Sequence, residues 1–310
     1  MGSGGLVIME KRKVTMKDIA REVNVSVATV SYVLNYSDKE KISNETRLKI
    51  MEAAKRLHYV PNLAARSLAG TDSRLIGVII NLSKKNKRSK LYQYYDMVNE
   101  LQRALHRRGY DVIILATKEL GEDLEVVSKR SLDGVFIIDV DSASLRNLTS
   151  RYFVPIILID SYLEDRLFYE ILTDYEAVLQ EATGLLGRVD YVVMEDYSNS
   201  KLWEFAKNHF EERDIYIHNS RQDLVQFLLE HRSGKGLILG DLLGMQAEHY
   251  TDNRGFAVVT SFSENSLLLP DTRRILISNE QKAEKAAEVM MRLLNMNDQE
   301  EDEKCIYIRP

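Results

Sequence analysis

TMKDIAREVNVSVATVSYVLN, residues 15–35, holds two short amphipathic segments separated by one tight turn. Met16, Ile19, Ala20 and Val23 recur at helical spacing and predict a first helix over about 16–23. Asn24 then stops it, a residue that tolerates the left-handed backbone a tight turn needs. Ser26 is a good N-cap for a second helix running to Leu34, with Val30, Val33 and Leu34 facing inward. Two helices joined by a turn of a few residues have helix-turn-helix geometry.

A third helix follows the loop Asn35–Lys41. Ser43 caps it, Glu45 sits in its first turn, and Ile50, Met51, Ala54 and Leu57 form its inner face. The outer face of the second helix is more telling. Val27, Ala28 and Thr29 open it, followed by Ser31 and Tyr32. Small apolar side chains there are wasted in water but fit thymine methyls in a major groove. Thr15, Ser26, Ser31 and Asn35 are placed to donate to phosphates. A small three-helix bundle that binds protein is the alternative.

Charge is distributed unevenly. Residues 11–70 carry twelve Lys and Arg against six Asp and Glu, a net of +6, whereas the whole chain is −5, which leaves −11 elsewhere. A basic unit beside a larger acidic one suggests a polyanion partner for the first. The 310 residues allow two or three compact units, and no apolar run approaches a membrane span. Gly2, Ser3, Gly4 and Gly5 make residues 1–10 look like a cloning remnant rather than a signal peptide. The lone Cys305 offers no disulfide framework, which fits a reducing cytoplasm.

The quoted run resembles the headpiece of the lactose-repressor (LacI/GalR) family, and so does KISNETRLKIMEAAKRLHYVPNLAARSLAG, residues 41–70. The family normally has Gly where this chain has Asn24, and many members have Arg where Tyr32 stands. The resemblance implies a homodimeric repressor that reads a palindromic operator. It also gives PNLAARSLAG, residues 61–70, a role as hinge. Asn62 caps a helix too short to persist alone, Gly70 stops it, and Arg66 lies near the DNA backbone or groove floor. Leu68 takes the place of the family's minor-groove wedge, the alternative being a contact between headpiece and core.

After Thr71 short apolar runs alternate with helical stretches. Strands are expected at 75–81, 111–117, 134–140, 156–160, 191–194, 215–218, 236–239, 256–260 and 306–308. Amphipathic helices are expected at 92–108 and 283–294. This alternation predicts parallel sheets covered on both faces, in two α/β subdomains of about 75–160 and 174–276. The organisation is then a headpiece at 11–60, a hinge and linker at 61–74, and a core at 75–310 like periplasmic sugar-binding proteins. That core looks shorter than in a typical member, and the usual Gly-His is replaced by Gly187-Arg188. One or two of Tyr92, Tyr94 and Tyr95 should be core.

Ligands of open α/β sheets sit beyond the carboxyl ends of strands. Asp139, Asp160 and Asp241 stand at such ends, and Lys201 falls where the resembled family has a sugar-gripping Arg. These four are the candidate effector contacts, although strand-end Asp residues also cap helices. A Lys in that place points to an altered ligand, phosphorylated or acidic, or to a Lys201 pair that closes the cleft with no ligand. No His-x-x-His pair, nucleophile elbow, phosphate loop or dinucleotide fingerprint occurs, so neither enzyme, metal nor cofactor is expected. The expected partners are operator DNA, a second copy, and a sugar, a phosphosugar or a protein co-regulator. A small-molecule sensor with incidental DNA binding is the competing reading.

Overall fold

The computed structural model describes residues 14–34, 42–57, 59, 73–81, 88–117, 132–141, 154–163, 168–218, 223–261, 267–295 and 303–310. The chain divides into two units, 1–70 and 71–310. In the first, α1 (Met16–Val23), α2 (Val27–Leu34) and α3 (Asn44–Arg56) pack on one another. Ile19, Ala20, Val30, Val33, Leu34, Ile50, Ala53 and Ala54 are the buried centre. Asn24 ends α1 with φ 56° and ψ 48°, donating its N–H to the Ala20 carbonyl, which is the left-handed turn expected of it. Ser26 and Ser43 accept the Thr29 and Thr46 amides at 2.9 and 3.2 Å, so each caps its helix. The Met51 side chain and the loop from Asn35 lie outside the described residues, as does the hinge with Asn62, Arg66 and Leu68.

The second unit contains two wholly parallel sheets. One has the order β11-β5-β4-β3-β1-β2, with β1 (Leu75–Asn81), β2 (Asp111–Thr117), β3 (Gly134–Ile138), β4 (Ile156–Ile159), β5 (Tyr169–Thr173) and β11 (Cys305–Ile308). The other has the order β10-β9-β8-β6-β7, with β6 (Tyr191–Glu195), β7 (Ile215–His218), β8 (Gly236–Leu239), β9 (Phe256–Thr260) and β10 (Arg273–Leu276). Period-two alternation splits each sheet between two packing faces. Val78, Phe136 and Ile157 join one core with α4 (Arg88–His106) and α9 (Asn279–Leu294), while Ile79, Ile137 and Leu158 join another. In the second sheet Val192 and Leu237 face α5 (Tyr175–Leu186) and α6 (Ser200–His209). Tyr191, Ile238 and Val258 face α7 (Leu224–Glu230) and α8 (Asp241–Glu248).

The first subdomain extends further than the sequence pattern suggested. Strand β5 belongs to it, and β11 returns from the chain end to pair alongside, with Ile306 opposite Ile171. α9 packs on α4, bringing the terminal helix back to the first sheet. Both helices begin earlier than predicted, α4 at Arg88 and α9 at Asn279. Tyr94 is buried, whereas Tyr92 and Tyr95 are exposed. No helix among the described residues is long and apolar enough to cross a membrane.

Candidate functional site

The headpiece presents its site on α2. Val27 and Ala28 are exposed at the start of that helix, and Thr29, Ser31 and Tyr32 are half-buried beside them. The helix carries no charged residue, so its outer surface is small and neutral. Thr15 is exposed, but its hydroxyl and amide both donate to Asp18 Oδ2, at 2.7 and 2.8 Å. The Ser26 hydroxyl lies 2.7 Å from that of Thr29. Both hydroxyls therefore serve the helix starts as well as facing solvent. Arg56 of α3 pairs with Glu22 of α1.

The core holds a cleft between its two sheets, with a cavity of about 110 Å³. Its acidic lining comes from Asp139 after β3, Asp160 after β4 and Asp241 after β8. Asp139 and Asp160 adopt left-handed backbone, with φ of 50° and 46°. Asp tolerates that conformation better than most side chains, and such turns concentrate at functional sites. Gly240, at φ 112°, precedes α8, where an added Cβ would lie 1.9 Å from Gln93 Nε2. Only glycine lets the Gln93 side chain come so near the second sheet.

Lys201 stands apart from these aspartates. It does not line the cavity; its Nζ contacts Glu204 Oε2 at 3.1 Å and lies 4.5 Å from the centre of the Tyr162 ring. Among the described residues, Lys282 lines the cavity and Lys90 lies behind the lining, two lysines absent from the expected site. Lys282 of α9 reaches Asp160 Oδ2 at 2.6 Å, with Thr173 Oγ1 donating to the other oxygen at 3.3 Å. Lys90 of α4 meets Asp139 Oδ2 at 2.5 Å and donates to the Asp196 carbonyl at 2.5 Å. Asp139 also accepts the Tyr94 hydroxyl and, at 2.7 Å, the Ser198 amide. The first-sheet element α4 thus grips the loop after β6, and Gln93 adds a bond from the Tyr197 hydroxyl at 2.5 Å.

Asp241 has no lysine of this kind. Its carboxyl takes hydrogen bonds from the Thr260 side chain and, on Oδ2 at 3.3 Å, from the Ser261 amide, while its buried Oδ1 meets no donor among the described residues. Burial holds its carboxyl above the ordinary value of 3.8, and Asp96 adds to the effect. Asp96 itself accepts from Ser261 Oγ and Asn279 Nδ2, at 3.1 and 2.7 Å, so it lies one bond behind the lining. Tyr94, Tyr175 and Tyr197 complete the wall. Burial raises the pKa of all three phenols, and Asp139 and Asp160 raise each further.

Residues 15–62 match the family described as bacterial regulatory proteins, lacI family, which places α1, the turn, α2 and α3 inside the matched stretch. The lacI-family match is thus carried by the headpiece stretch of this chain. Among its relatives, the transcriptional regulator pepR1 of Lactobacillus delbrueckii subsp. lactis is 30% identical over 57% of this chain and 53% of its own length. The transcriptional repressor PurR of Mannheimia succiniciproducens is 28% identical over 47% of this chain and 43% of its own. The chain therefore spans about half the length of these relatives. Catabolite control protein A of Staphylococcus aureus is 27% identical over 83% of this chain and 72% of its own. The lac repressor dimer bound to operator and the anti-inducer ONPF is similar to this chain in fold. It has a TM-score of 0.57 at 18% identity, over 96% of this chain and 97% of its own.

Proposed function

We propose that this chain is a DNA-binding transcriptional repressor of the lacI family, a homodimer that reads a palindromic operator and responds to a small molecule in the core cleft. The observation that carries the reading is the lacI-family match over residues 15–62, laid on a helix-turn-helix whose second helix exposes Val27 and Ala28. These two and Tyr32 meet base edges. Thr15, Ser26, Thr29, Ser31 and Asn35 set register on phosphates, and neutral side chains do so without a large non-specific charge term. In the hinge, Asn62 caps, Arg66 contacts the groove or backbone, and Leu68 wedges a base step. Two copies related by a two-fold axis match two half-sites a helical turn apart.

The cleft is the natural place for control. Groups on α4 and α9 on one side and on the loops after β6, β8 and β9 on the other converge there, so a ligand that alters their spacing alters the core. A ligand regulates only if it binds the DNA-competent and incompetent states with different affinity. The protein works in the cytoplasm, beside its DNA, and performs no catalysis. Carbohydrate-related genes are the target class of this reading, and one relative carries the name catabolite control protein A. Selection of bound duplexes from a random pool by the full chain tests the reading. Enrichment of a palindrome supports it, and recovery of unrelated duplexes at equal affinity would refute it.

A further inference from the structure

The charges of the cleft are unevenly matched. Three carboxylates line it and Asp96 stands behind Ser261 and Asn279, yet among the described residues Lys282, the lysine of the lining, is bonded to Asp160, and Lys90 behind it to Asp139. Asp241 is nine-tenths buried, lines the cavity and keeps one oxygen without a donor among the described residues. A buried carboxylate oxygen left without a donor is costly, and a charge-assisted hydrogen bond from a ligand would remove that cost. We propose that the cleft takes a small hydroxylated amine in its protonated form, with Asp241 as its counter-charge. This rests on the reading of the cleft as an effector site and names the ligand's chemistry.

Three further observations agree. The rings of Tyr94 and Tyr197 lie 5.6 and 5.2 Å from the Lys90 ammonium behind the lining, so these two aromatic side chains already neighbour a cation within the protein. Burial is the main cause of the raised phenol pKa values of the lining tyrosines, and the nearby Asp139 and Asp160 add to it. The helix starts near the cleft, ordinary anion sites, are answered internally. Asp174 caps α5, Asn199 caps α6 and Ser278 caps α9, while α8 begins with Asp241 itself. A phosphate entering here meets no unpaired lysine in the described lining. Thr173, Thr260, Ser261 and Asn279 supply neutral partners for hydroxyls. The cavity of about 110 Å³ is smaller than drug-sized sites of roughly 300–1,000 Å³, which calls for a small ligand.

Calorimetric titration of the full chain with ethanolamine, glucosamine, glucose and glucosamine 6-phosphate tests this, using wild type, Asp241→Asn and Lys201→Ala. At least one free amine should bind, and glucose and the phosphate ester should bind at least about tenfold more weakly. Asp241→Asn should weaken the amine by at least about tenfold, with a thermal transition at or above that of wild type, and Lys201→Ala should bind as wild type. Tighter binding of glucose or of the phosphate ester would overturn the charge class while keeping the cleft as the effector site. No heat from either amine, or amine binding indifferent to Asp241→Asn, would overturn the proposal. Operator selection by the same preparation judges the regulator reading separately.

Discussion

The headpiece and the cleft are built on opposite electrostatic plans. The outer face of α2 is neutral, and the polar bonds around it are short-range, such as Ser26 to Thr29 and Thr15 to Asp18. Its ion pair Lys49–Glu45 stands in solvent, with side chains 60% and 78% exposed. In the cleft the Lys90 and Asp139 side chains are 2% and 1% exposed, and their partners come from distant parts of the chain. A surface that meets DNA can keep its polar groups hydrated until binding, so folding does not depend on them. A cleft that encloses a ligand has to hold its charges dry beforehand, and there each charge bears on stability as well as recognition.

The sharpest way to break this contrast is to remove one partner of the buried pair. Lys90→Met leaves Asp139 with two neutral donors and no counter-ion, and should cost about 3–5 kcal/mol in urea denaturation. Adding Asp139→Asn should recover most of that loss, because the charge left behind is the source of the damage. A loss as small as that of an exposed pair would mean that the two regions do not differ as described.

In the headpiece the order of effects reverses. Ala28→Gln should leave the thermal transition unchanged, since Ala28 is exposed. It should instead alter the preferred base at one half-site position, at about 1–3 kcal/mol per lost match. Selection of bound sites by wild type and variant measures this. Identical base preferences would remove Ala28 from the reading surface.

Asp241→Asn is expected to stabilise the free protein. Because burial raises the carboxyl above 3.8, the native state favours its protonated form. The wild type therefore loses stability as pH rises from the unfolded value through the folded one. The variant lacks that loss, so it should exceed wild type by about 1–2 kcal/mol at neutral pH. The advantage should vanish below about pH 4, near the unfolded value for Asp. An advantage that persists in acid would have another origin.

The headpiece was the more legible region because its signals are local. Caps, a turn residue and apolar spacing within a dozen residues define α1 and α2, and Asn24 takes the left-handed turn its chemistry suggests. The cleft depends on partners more than a hundred residues apart, as in Lys282 to Asp160. Strand-end position alone was enough to find Asp139, Asp160 and Asp241. The lysines were lost at helix boundaries. Reading α4 from Tyr92 and α9 from Ala283 left Lys90 and Lys282 outside, because a lysine in the first turn opposes the helix dipole and gives no start signal. Lys282 nonetheless shares a buried stripe with Ala286 and Met290, and a charged residue on such a stripe is a detectable clue. Strand β5 was missed because Glu170 interrupts its apolar run, although Glu170 is buried and accepts the Leu163 amide at 2.9 Å.

The smallest expected effect belongs to the lysine chosen from the family pattern. Lys201 sits in the first turn of α6 with its side chain 39% exposed, paired three residues along with Glu204. The hydrogen bond to Glu204 raises its pKa above 10.5, so whatever stability it lends is full at neutral pH and fades only as strong alkali deprotonates it. Solvent screening keeps that contribution small, within about 0.5 kcal/mol for an exposed pair. The Tyr162 ring, 4.5 Å from Nζ, lies outside the cavity lining and gives Lys201 no route into the cleft. Lys201→Ala should therefore match wild type in urea denaturation to within about 0.5 kcal/mol, and in operator affinity with and without ligand. A clear change in the ligand response alone would bring Lys201 into the cleft in solution, and would restore the acidic or phosphorylated ligand that the sequence pattern suggested.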